Sequence, residues 1–195
     1  MPRPTVPGRR SAALSLLALL AACDAAPVPV TALPVDPRLG FADPTRQAVI
    51  HAAFVFPRTS SLRGRPAEAA QAISEAEHIN VELRYGARWI TMSPLASMAF
   101  EQARPEWRGV LGIPAEAQPQ AVIDALTRVR NALAAGDQAA AAAALAPPLF
   151  VPGGAAALAR LSDLPPLPRT GWAARLAMQE MMRMNRQDSR GLPWP

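Results

Sequence analysis

Residues 66–85 read PAEAAQAISEAEHINVELRY, and this stretch decides the fold. Pro66 suits the first position of a helix, where its missing N–H costs nothing. From there Ala69, Ala72, Ile73, Ala76, Ile79 and Leu83 recur at three- and four-residue steps, which lines them along one side of an α-helix. Glu75, His78 and Glu82 fall on the opposite side, which the pattern predicts to face solvent. Gly86 supplies a stop. A long stripe of alanines and aliphatics has to be covered, and nothing nearby reads as a sheet, so the expected cover is other helices.

Working outward, 88–92 (Arg-Trp-Ile-Thr-Met) is the one strand-like run. It has no partner strand, so it predicts an extended connector or a continuation of the helix. Ser93-Pro94 opens another helix with Leu95, Met98, Ala99 and Gln102 on one face; Pro105 is expected to interrupt it and Trp107 to resume it. In 118–134, Val122, Ile123, Leu126, Val129 and Leu133 form a continuous stripe. Gly136 then turns the chain, and Asp137 caps a helix over 139–145. Pro147-Pro148 and Pro165, Pro166 and Pro168 bracket a short helix at 153–161, and a last helix covers 170–187. On the other side, Asp43-Pro44 caps a first helix carrying Ala48, Val49, Ala52, Ala53 and Val55, with His51 packed among them. Residues 59–65 read as a loop. The sum is an all-α domain over 44–190, an irregular antiparallel bundle of five to seven helices, with 191–195 as a loose tail.

Ahead of the bundle, 24–43 carries Pro27, Pro29, Pro34 and Pro37 and reads as a tether. Fully extended as polyproline II it would reach about 60 Å. Before it, Arg3, Arg9 and Arg10 precede an apolar run over 11–20, too short to span a bilayer, which takes roughly 20 apolar residues. That run closes on Leu20-Ala21-Ala22-Cys23, which holds the only cysteine of the chain. The order resembles the lipobox of bacterial lipoproteins. The resemblance implies that 1–22 is a signal peptide cleaved before Cys23, whose thiol carries a diacylglyceryl group and whose new amine is acylated. The mature chain would then begin with Cys23 and the tether. A unique cysteine has no disulfide partner within the chain, which acylation would account for. Arg9-Arg10 leaves both the general secretory and the twin-arginine route open. Asp24 resembles an inner-membrane retention signal of enteric bacteria, which leaves the choice of membrane open.

All 20 basic residues are arginine, against 15 carboxylates. Three arginines leave with the signal, so the mature chain has a net charge of +2. That is too mild for a nucleic-acid footprint. Among chemistry-bearing patterns, Glu75-x-x-His78 is half of a di-iron carboxylate motif, and its second half is missing. Met178, Met181, Met182 and Met184 put four thioethers into seven residues, soft ligands that suit Cu(I), although helical spacing spreads them around the axis. Arg175, Arg183, Arg186 and Arg190 interleave with them, a mixture that fits docking on a partner or a lipid surface. Phosphate loops, Gly-x-Ser-x-Gly and His-Glu-x-x-His are absent. The expected function is a lipid-anchored, periplasm-facing accessory or interaction protein without catalysis or cofactor, attached to the membrane through Cys23 and to an envelope protein partner. The alternatives are a Cu(I)-binding protein using the methionine cluster and, third, a cell-envelope hydrolase.

Overall fold

A computed structural model describes residues 28–34 and 43–191. Among the described residues there are seven α-helices and no strand. They are α1 (Pro44–Val55), α2 (Pro66–Tyr85), α3 (Pro94–Leu111), α4 (Pro119–Ala134), α5 (Gln138–Ala143), α6 (Gly154–Ser162) and α7 (Pro168–Gly191). Short 3-10 segments cover Phe56–Leu62 and Ala87–Trp89. Five of the helices open on proline, whose fixed φ starts a helix at no hydrogen-bond cost. The Asp43 carboxylate accepts from the Thr45 and Arg46 amides, and Asp137 accepts from Ala140, as their positions imply.

Helices α1, α2, α3 and α7 form a closed antiparallel ring, each packed on its two neighbours. Cross-links fix the directions. Thr45 meets His78, Glu77 meets Arg108, Ser93 meets Glu180, and Arg46 meets Asn185. The chain between α3 and α7 folds back over the outside of α2: α4 and α6 both pack on α2, and α5 joins them. Helix α2 is therefore enclosed by α1, α3, α4 and α6, and every residue from Ala72 to Val81 is buried.

This enclosure overturns the expected solvent face. Glu75 and His78 are buried and Glu82 is half-buried, because neighbours cover both sides of the helix. Other expectations shift as well. The 88–92 run is neither extended nor helix continuation: it holds a 3-10 turn whose Trp89 plugs the bundle end. Arg88 and Arg46 lie 4.9 and 5.7 Å from that ring, and its Nε1 donates to Glu82. Residues 59–65 are largely 3-10 turn, with Thr59 and Leu62 buried. Pro105 does not interrupt α3. It sits on the exposed side, where water can serve the carbonyl it leaves without a donor. The buried face of α3 is Ala96, Ala99, Phe100, Ala103, Trp107 and Leu111, which leaves Leu95 and Met98 outside.

Part of the expected tether is bound to the bundle. Thr31 is buried against α1 and α2, and the Gln120 side-chain amide pairs with the backbone of Ala32 through its Oε1 and Nε2, much as a neighbouring strand would. Residues 35–42, the signal segment with Cys23, and 192–195 lie outside the described residues.

Gly112 ends α3 in the left-handed region at φ 63°, and a Cβ there would sit 1.6 Å from the Val151 carbonyl oxygen. Gly109, one turn earlier, has open space around it. Gly112→Ala should destabilise the protein by at least about 2 kcal/mol, whereas Gly109→Ala should stabilise it by about 0.5–1 kcal/mol. Urea unfolding of the two variants checks this; equal effects would contradict the close approach of 112 and 151.

Candidate functional site

Among the described residues, titratable groups gather inside the molecule along the polar side of α2. That side divides into three clusters, one tied to α3, one to α1, and one to both α1 and the leading segment at Thr31.

The innermost is Glu77, fully buried between α2 and α3. Its Oε1 accepts from Trp107 Nε1 at 2.8 Å and from Arg108 Nε at 2.7 Å, and its Oε2 accepts from Arg108 Nη2 at 2.7 Å. Arg108 Nη1 donates to the carbonyls of Pro114 and Ala115, and Nη2 also to that of Ala117. Arg104 approaches the same carboxylate at 3.9 Å; burial first, then the Arg108 charge, lowers its pKa. The Trp107 ring stands edge-on to Phe100, with centroids 6.2 Å apart.

The second cluster joins α2 to α1. Glu75 Oε1 accepts from Gln71, and Glu75 Oε2 lies 2.5 Å from His51 Nδ1. Glu68 stands 3.8 Å from the other imidazole nitrogen. Burial works against a charge on His51, yet the Glu75 hydrogen bond and the charges of Glu75 and Glu68 outweigh it, so its pKa is raised.

In the third cluster, His78 Nδ1 meets Thr31 Oγ1 at 2.9 Å and His78 Nε2 meets Thr45 Oγ1 at 2.8 Å. A neutral imidazole has one donor and one acceptor nitrogen, so one threonine donates to it and the other accepts. Desolvation lowers the His78 pKa, and Arg88 adds to that against the opposing pull of Glu82 and Asp43.

These arrangements limit the chemistry. A nucleophile–base–carboxylate relay needs hydroxyl, imidazole and carboxylate in one line. Here the hydroxyls sit on His78 and the carboxylates on His51. Glu75 and His78 both turn to α1, but to separate partners, His51 and Thr45. Among the described residues no group of three or more His, Cys, Asp or Glu is placed to hold a metal ion. The methionines divide similarly: Met181 and Met184 are in the core, Met178 is half-buried and Met182 is exposed. Cys23 lies outside the described residues, and among those described no helix is long and apolar enough to cross a membrane. The pattern reading missed Glu77, Trp107, Arg108, Thr31, Thr45 and Gln120. One signal was there: Ala70, Ser74, Glu77 and Val81 form a second row of mostly small residues at helical steps, a surface on which another helix can come close.

The two histidines should act oppositely on stability. His78, with its pKa depressed in the folded state, costs stability as pH falls below the ordinary 6.5, because the unfolded chain takes the proton first. His51, with its pKa raised, adds stability that is fully present below 6.5 and is lost as pH rises through its folded value. His78→Gln should flatten the loss of stability on acidification from neutral pH, and His51→Gln should steepen it. Urea midpoints across pH check both; identical profiles for the two variants would contradict the assignment. In comparisons with known proteins, no family model, no curated protein and no solved structure matches this chain.

Proposed function

We propose that the chain is a lipid-anchored, periplasm-facing interaction protein with an accessory, non-catalytic role. The observation that carries this reading is the order Leu20-Ala21-Ala22-Cys23 directly after an arginine-bearing apolar run. Two or three acyl chains on one residue give a stable anchor, since each buried methylene contributes about 0.8 kcal/mol.

The use of the polar residues supports the accessory role. Both histidines, Glu75 and Glu77 are engaged in holding α1, α2 and α3 to one another and to 31–32. A surface for a protein partner is offered at the end where α2 hands over to α3. Ile90, Leu95 and Met98 are exposed there, Ile90 at 86%. Burying such a group on a partner recovers apolar area that the bundle leaves in water. The near-balanced charge of the mature chain argues for protein rather than nucleic acid as that partner.

Intact-mass analysis of the chain isolated from bacterial membranes should show a mature N-terminus at Cys23 carrying acyl groups, and Cys23→Ala should abolish both cleavage at that point and the lipid mass. An N-terminus elsewhere, or an unmodified thiol, would overturn the anchor. Crosslinking of the anchored protein in membranes should capture a partner, and Ile90→Glu combined with Leu95→Glu should lose it while the melting temperature holds. Capture unchanged by both substitutions would place the partner on another face.

A further inference from the structure

Helix α7 turns one continuous strip outward: Arg169, Trp172, Arg175, Gln179, Met182 and Arg186 are all exposed, at steps of three and four residues. At 1.5 Å per residue the strip runs about 26 Å. Beside it α1, antiparallel, exposes Gln47, Ile50 and Phe54, and Arg58 follows in the 3-10 segment. Phe54 and Trp172 are more than half exposed, and Ile50 and Met182 somewhat less. Where the two helices meet, Pro57, Arg58, Thr59, Ser60, Gly171 and Arg175 line a groove of about 390 Å³ that has no carboxylate in its wall.

The charge pattern sets this face apart from the rest of the ring. Arg46, Arg84, Arg88, Arg108 and Arg183 each pair with a carboxylate. Arg58, Arg169, Arg175 and Arg186 form no ion pair with a described carboxylate. Helix α1 contains no acidic residue, and of the two in α7, Glu180 and Asp188, Glu180 is turned to Ser93 and Arg183. A solvated arginine strip alone would be ordinary. Here the arginines alternate with an indole, a phenyl ring and a thioether that the fold leaves in water.

We infer that the α1–α7 face docks on an anionic bilayer surface, its arginines taking lipid phosphates and Trp172 and Phe54 entering the headgroup layer. Arginine recognises phosphate through paired N–H donors, and aromatic side chains favour the membrane–water interface. The inference rests on the reading that the chain is held at a membrane and names the surface that meets it.

The test uses the full protein purified from membranes, carrying Trp194→Phe so that Trp172 is the exposed indole; Trp89 and Trp107 are buried. It is mixed with phosphatidylcholine vesicles and with phosphatidylcholine–phosphatidylglycerol vesicles, and acrylamide quenching is read on bound protein. Trp172 should be quenched freely on the neutral vesicles and several-fold less on the anionic ones. Arg169→Gln, Arg175→Gln and Arg186→Gln together should restore quenching and lower charge-dependent binding by roughly 100-fold. Equal quenching on both vesicles overturns the docking face while binding to neutral vesicles upholds the acyl anchor. Binding with a shielded Trp172 on anionic vesicles alone upholds the face and removes the anchor. Binding to neither overturns both.

Discussion

Arg108 has five N–H donors, and every one ends on an oxygen inside the protein: two on Glu77 and one each on Pro114, Ala115 and Ala117. Much else depends on that single group. It fixes α2 to α3 at one register through a carboxylate that is itself fully buried. It also gathers 114–117 into a collar, which sets where α4 begins and therefore how α4 covers α2. Gly112 makes the collar possible by turning the chain sharply at the end of α3 and letting Val151 come close. Taking both charges out of water is expensive, and only the completeness of the hydrogen bonding offsets it. Removing one partner would leave the other charged, buried and unpaired.

Helix α2 is the axis of the molecule, and its polar residues act as bolts to its neighbours. Glu77 holds α3, Glu75 holds His51 of α1, and His78 holds both Thr45 of α1 and Thr31 of the leading segment. A similar device closes the far side of the ring. Glu106 of α3 accepts from the first amides of α7 and from the Thr170 hydroxyl, capping a helix that has no cap of its own in sequence. Because the inside is consumed by such contacts, the groups free to meet other molecules are on the outside. Among the described residues these include the apolar corner at Ile90, Leu95 and Met98 and the arginine strip of α7.

The helical class and most boundaries were legible in the residues. Prolines at helix starts, Asp43 and Asp137 as caps, and the Ala69–Ala72–Ile73–Ala76–Ile79–Leu83 stripe are local signals, and local signals survive folding. The second face of α2 was not legible. A glutamate or histidine opposite an apolar stripe faces water unless a partner covers it, and here the partners come from residues 31, 45, 51, 107 and 108, far away in the chain. The α3 face was misread for a related reason: Leu95 and Met98 are as apolar as the alanines beside them, but Phe100 and Trp107 are bulkier and take the inside. Cys23 remains a sequence argument, because the structure describes residues only from 28 onward.

A double-mutant cycle on Glu77→Leu and Arg108→Leu, followed by urea unfolding, tests the central claim most directly. The account predicts that each single change costs about 3–5 kcal/mol, and that the double mutant loses markedly less than the two losses combined. Single variants within about 0.5 kcal/mol of the parent, or strictly additive losses, would show that the pair does not hold α2 in place.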